Sequence, residues 1–220
     1  MKRIIFILLT LMLPLFNFGQ SVKDSLSFQK TLLYNQFING SVLMKSGAIE
    51  NAPLNYNTQN QTIVFIKDGR YMILTGTEMI DTIYIGDKKF VPADNIICEV
   101  VTTGPIALYL SYHNRPRPVE ATTDHNGTSR KESNQVSNTV TDVYTTKLFR
   151  GNYNVEILKN YWLKMDDKFH KANTIKQFLK PFSSDKRSAI EKYVETDHID
   201  FNKESDLIKL VGFCNDKFKL

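Results

Sequence analysis

Cysteine is scarce in this chain, and its scarcity is the first constraint. Only Cys98 and Cys214 are present among 220 residues, so no more than one disulfide can form. Neither G-x-x-x-x-G-K-[ST] nor G-x-G-x-x-G occurs, which removes the two glycine-rich loops that cradle phosphates. A G-x-S-x-G elbow is also missing, because Gly40-Ser41 leads into a strand pattern and not into a helix. The four histidines, His113, His125, His170 and His198, contain neither H-x-x-x-H nor H-E-x-x-H, so no paired zinc site sits on one helix face. A dominant charge is lacking too. The chain has 28 basic and 23 acidic side chains, a net of +5, and the mild excess is spread along it. A nucleic-acid binder needs a concentrated basic footprint, so that class is set aside.

What is present starts with MKRIIFILLTLMLPLFNFGQS. Lys2 and Arg3 form a short positive segment, Ile4 to Phe16 an uncharged apolar run of 13 residues, and Gly19 a small residue ahead of Gln20. That is the layout of a secretory signal peptide, and the run is shorter than the roughly 20 residues that span a bilayer. The expectation is that residues 1–19 are removed and that no transmembrane segment remains. The mature chain is then exported, to the periplasm, the outer membrane or the exterior. No Cys follows the apolar run, so lipid modification there is not expected. In an oxidising compartment Cys98 and Cys214 can pair. Cys98 shares a strand face with Ile96 and Val100, and Cys214 follows Leu207, Leu210 and Val211 at helical spacing. Both point at a core, either as a bridge from a C-terminal helix to a sheet or as two buried, inert thiols.

Residues 21 to 37 carry a weak signal, for a short helix or an extended lead-in. From Gly40 the pattern changes to short runs rich in β-branched and aromatic residues: SVLM, APLNY, TIVFI, YMILT, TIYIG, KFVP, IICEVV and IALYLSY. Ser46-Gly47, Asp68-Gly69 and Gly86-Asp87 are among the breaks between them, and Asp-Gly between apolar runs signals a hairpin. HNRPRPVEATTDHNGTSRKESNQVSN, residues 113–138, has almost no apolar anchors and reads as a flexible loop, either solvated linker or contact surface. TVTDVYTTKLF and YNVEILKNYWLKM read as two further strands, turned at Arg150-Gly151-Asn152. After Met165 the period becomes helical: Ile175, Phe178, Leu179 and Phe182, then DKRSAIEKYVE capped by Ser183 or Ser184, then a third helix from Lys203. The fold class is α+β: mainly an antiparallel β meander in a β-rich region (20–165), followed by about three helices (166–220) packed on the sheet.

Two pieces carry a resemblance. NGSVLMKSGAIENAPLNYNTQNQTIVFIKDG with TIYIGDKKFVP, and FLKPFSSDKRSAIEKYVETDHIDFNKESDLIKLVGF near the end, resemble uncharacterised exported proteins of Bacteroidetes bacteria. The shared words are the G-S-V and L-N-Y-N strands, Phe90 at the end of a later strand, and the I-D-F link into D-L-I-K-L. The resemblance implies export from a diderm bacterium and a role in the envelope. It transfers no activity.

Candidates for chemistry are few. Asp197-His198-Ile199-Asp200 can curl into a chelate, but the same residues suit a link between helices. Asp166, Asp167 and His170 are a similar case at a strand-to-helix junction. Glu78, Asp81 and Glu99 are the carboxylates available for glycoside hydrolysis, with Glu99 expected to face solvent, opposite Cys98. Tyr161 and Trp162, with Tyr153 nearby, are the candidate ligand-binding aromatics; adjacent strand residues face opposite ways, and the Trp is the expected core member. No metal and no cofactor are expected. The reading that follows is a non-enzymatic binding or structural module of the envelope, with an envelope protein as partner. The alternative is a small periplasmic hydrolase or glycan-binding protein.

Overall fold

The computed structural model describes residues 28–118, 136–141, 144–149 and 153–218. The strands are β1 (Ile38–Met44), β2 (Ile49–Asn57), β3 (Thr62–Lys67), β4 (Arg70–Ile73), β5 (Ile80–Ile85), β6 (Lys88–Ala93), β7 (Ile96–Val100), β8 (Ala107–Pro118), β9 (Val136–Thr141), β10 (Tyr144–Phe149), β11 (Tyr153–Met165) and β12 (Lys168–Lys171). The helices are α1 (Ile175–Leu179), α2 (Ser184–Thr196) and α3 (Glu204–Phe218). Ten strands form one antiparallel sheet in the order β12-β11-β8-β7-β6-β5-β1-β2-β3-β4, and β9 and β10 pair as a separate ribbon. The architecture is therefore α+β, a large antiparallel sheet followed by helices. No helix among the described residues is long and apolar enough to cross a membrane.

Two four-strand meanders, β1–β4 and β5–β8, meet where β1 lies between β5 and β2. Turn chemistry sets the hairpins, as at Asp68-Gly69, where both residues take positive φ (51° and 71°) as a type I′ turn requires. The sheet is so strongly coiled that its two parts touch. Tyr56 on β2 stacks on Phe90 of β6 with ring centroids 5.8 Å apart, and its hydroxyl donates to the Ile97 carbonyl of β7 at 2.9 Å. Ile97 N–H also donates to the Gln61 carbonyl, and Asn114 N–H to that of Thr58. The enclosed face carries Leu54, Tyr56, Ile63, Ile83, Ile85, Phe90, Ile97 and Leu110, all buried.

The helices cover the β8–β11 part of that same face. Leu207, Leu210, Val211 and Cys214 of α3 join the cluster that holds Leu108, Leu110, Tyr161 and Leu163. Asn215 fastens the helix by accepting from Ile106 N–H (2.9 Å) and donating to the Ile106 carbonyl (2.8 Å). Phe178 and Phe182 stack at 5.7 Å beneath α2, and the Arg187 guanidinium donates to the carbonyls of Leu179, Lys180 and Phe182 at the end of α1.

Several expectations need correction. TVTDVYTTKLF is divided between β9 and β10, and so is not one strand. Asp166 and Asp167, both at positive φ, turn β11 into β12, so the chain adds an edge strand before its first helix. Of the loop expected at 113–138, His113 to Pro118 continue β8 and pair with β11, and Val136 to Asn138 belong to β9; residues 119–135 lie outside the described residues, as does the segment read as a signal peptide. Of the two alternatives left open for Cys98 and Cys214, a bridge or two buried thiols, the structure has the second. Register puts Cys98 on the side of β7 away from Ile97 and Glu99, while Cys214 joins the helix-covered core. With the sheet between them, each stays a buried thiol.

The L-N-Y-N word has a structural job. Asn55 is fully buried, accepts from Tyr34 N–H and Tyr56 N–H, and donates to the carbonyls of Tyr34 and Gln36. It pins the lead-in segment to β2. Asn55→Leu leaves those buried backbone groups unpaired, so urea unfolding should show a loss of roughly 2–4 kcal/mol; Asn60→Ala, in the neighbouring exposed turn, should stay within about 0.5 kcal/mol. Equal losses would show that Asn55 is not the anchor. For the cysteines, two thiols should react with Ellman's reagent in non-reducing denaturant and none in the folded protein.

Candidate functional site

Polar groups gather in two places, one inside the coiled sheet and one on its outer face. The interior row across the strands reads Val42, Ile83, Phe90, Glu99, Leu110 and Tyr161. A carboxylate thus stands among apolar side chains, with Glu99 only 8% exposed. Lys88 and Tyr112 converge on it from the rows on either side. Tyr112 Oη donates to Glu99 Oε2 at 2.5 Å, and Lys88 Nζ donates to Glu99 Oε2 at 2.9 Å and to Tyr112 Oη at 3.1 Å. Burial first, and then the hydrogen bond to Glu99, push the Tyr112 hydroxyl far above its ordinary range. It is therefore held protonated, a donor and not a base.

Further tyrosines surround this cluster. The Tyr34 hydroxyl is buried without a hydrogen-bond partner among the described residues, and burial, then the charges of Glu99 and Asp87, push it up to about 12. Tyr161 donates to Glu204 Oε2 at 3.3 Å, beside the Lys159–Glu204 ion pair at 2.8 Å. Burial and then the Glu204 charge push its hydroxyl up to about 12 as well. Glu204 opens α3, where the helix dipole favours a negative charge. Apart from the Tyr34 hydroxyl, the donors and acceptors named here satisfy one another, so the cluster braces the interior and joins the sheet to α3. A buried charge with its partners in place is tolerated, whereas removing one partner is costly.

The second place is an open groove of about 630 Å³ across the outer face of β2, β1 and β5, lined by Asn39, Gly40, Ser41, Asn51, Ala52, Pro53, Tyr84 and Gly86. Register sets Tyr84, Ser41 and Asn51 in one row over three strands, with Asn39 paired to Pro53 beside it. Tyr84 is 40% exposed, held upright because its neighbours Ile83 and Ile85 are buried in the interior. The groove is floored closely at Gly40, where a Cβ would collide with the Tyr84 carbonyl oxygen and press on Leu54. Among the described residues, no carboxylate, imidazole, amine or thiol lines it. Its chemistry is an aromatic face, amides and a hydroxyl.

The residues singled out from sequence fall elsewhere. Tyr161 is the core member of its pair and Trp162 is the half-buried one, the reverse of the expectation; Trp162 Nε1 donates to Ser111 Oγ at 3.0 Å, and Lys171 Nζ lies 5.8 Å from its ring centroid. The ring is thus partly roofed. Glu99 is buried and not in solvent, Glu78 is exposed in a 3₁₀ turn (Thr77–Met79), and exposed Asp81 accepts from Thr82. His198 takes a left-handed φ of 52° after α2, and Ile199 N–H donates back to the Val194 carbonyl, a helix-ending motif. Asp200 accepts twice from Asn202. Among the described residues no three His, Cys, Asp or Glu side chains converge as a metal site. Tyr84 was missed, although the alternation in TIYIG, two Ile inward and Tyr outward, was the available signal.

No family model matches this chain, and neither a curated protein nor a solved structure shows significant similarity to it.

The buried hydroxyls and thiols predict an alkaline limit. Cys98 and Cys214 are pushed up to about 12 by burial, as are Tyr34 and Tyr161, while Tyr56 and Tyr112 are raised further. The unfolded chain releases these protons near pH 9 for thiols and pH 10 for phenols, so above those values the folded state binds more protons and stability falls as pH rises. Denaturation midpoints should hold below pH 9 and drop steeply from pH 9 to 12, with the phenolate absorbance at 295 nm of the buried tyrosines appearing in step with unfolding. A flat midpoint through pH 11 would show these groups to be solvated.

Proposed function

We propose that the mature chain is an exported envelope protein that acts as a non-catalytic binding module, with the groove over β2, β1 and β5 as its recognition face. The observation that carries this reading is the groove's lining. It is open and concave, and it contains no acid, base or nucleophile able to move a proton or attack a bond near neutral pH. Buried Glu99 and half-exposed Glu204 are each engaged in bracing the fold, so a facing pair of the sort that hydrolyses glycosides is not what they form. Export is supported by the positive, apolar and small-residue layout of residues 1–19 and envelope placement by the resemblance of the G-S-V, L-N-Y-N and D-L-I-K-L words.

A photo-reactive benzophenone side chain tests the face directly, since it inserts into C–H bonds of proteins and glycans alike. It is placed at exposed Asn51 in the groove, and separately at exposed Glu195 on α2, in cells of the native host. Light-dependent adducts should form from position 51 and not from 195. Adducts from neither position, or equally from both, would remove the groove as the recognition face.

A further inference from the structure

Resting on the binding-module reading, we infer that the groove takes a neutral oligosaccharide, with Tyr84 as the stacking platform and Asn39, Ser41 and Asn51 as the hydroxyl readers. The ring of Tyr84 stands 40% exposed on a strand whose neighbouring side chains are locked in the core. An aromatic ring has a negative face, which complements the weakly positive C–H face of a pyranose. Along the row from Tyr84 through Ser41 to Asn51, the strand spacing gives a span of roughly 10 Å, suited to a disaccharide unit.

The polar lining matches that ligand in kind. An amide offers two donors and an acceptor, and a hydroxyl offers one donor and two acceptors, which pair with sugar hydroxyls that also do both. Among the described residues, no side-chain hydrogen bond engages Asn39, Ser41 or Asn51, so their polar atoms face the groove unspent. Among the described residues the lining carries no charge. Lys89, the cross-strand partner of Tyr84 on β6, stands outside it. An extended peptide is a poorer fit, because β1 is paired on both sides and its backbone has no free edge for strand addition.

Affinity electrophoresis of the mature chain through gels containing soluble neutral polysaccharides (mixed-linkage β-glucan, arabinoxylan, galactomannan or pullulan) is the test. At least one gel should retard the protein. Tyr84→Ala should weaken that retardation at least tenfold, Tyr84→Trp should keep it, and Asn51→Ala should weaken it several-fold. Lys89→Ala and added salt should change nothing. Thermal melts of each variant separate lost binding from lost fold. Retardation by none of the four, or retardation that Tyr84→Ala leaves intact, overturns the inference; so does binding that needs Lys89 and fades with salt, which marks an anionic ligand. Protein adducts from position 51 without retardation would sink the saccharide and leave the binding face standing, whereas loss of both removes the two together.

Discussion

Tyr56 closes the sheet, and most of the structure follows from that closure. Its hydroxyl reaches the Ile97 carbonyl, and its ring lies against Phe90 and, edge-on at 5.6 Å, against Tyr112. A sheet of this many strands twists of itself, but twist alone does not bring β2 onto β7. The Tyr56 side chain fills the space and satisfies its one polar atom on the far wall, so the curl is held by apolar contact and by direction together. Tyr112, packed against it, is thereby aimed at Glu99. Glu99 in turn holds Lys88 over the Tyr112 ring. One aromatic contact thus sets the position of the polar cluster beside it.

The consequence on the outside is equally direct. Curling buries Ile83 and Ile85 inside β5 and presses Gly40 against the Tyr84 backbone. On the outer face over β2, β1 and β5, Tyr84 is left 40% exposed beside Ser41, its partner on β1. Shape and chemistry of the groove are the reverse side of the interior packing.

How much of this was legible in the sequence varies by region. Strands β1 to β8 and the three helices carried their own periodicity and turn signals, as in Asp68-Gly69 and in Ile175, Phe178 and Leu179. The faces of β7 did not. Alternation told that Cys98 and Glu99 point opposite ways, but both faces of β7 are covered there, and the thiol and the carboxylate are both buried. Period two assigns a face only where one face meets water. The same limit reversed Tyr161 and Trp162, since what decides between them is α3, which arrives 43 residues beyond Tyr161 to meet its hydroxyl. The β11–β12 turn was hidden because two aspartates stood where a glycine would have announced positive φ.

The clamp between Asn215 and Ile106 joins groups 109 residues apart. Long-range closure of this kind is slow, because loop entropy must be lost before any contact rewards it. Without α3, the β8–β11 face with Leu108, Leu110 and Leu163 loses Leu207, Leu210, Val211 and Cys214 from its cover. The fifteen-residue α3 is therefore needed to seal that face. A chain with α3 detached lacks a sealed core, however complete its sheet.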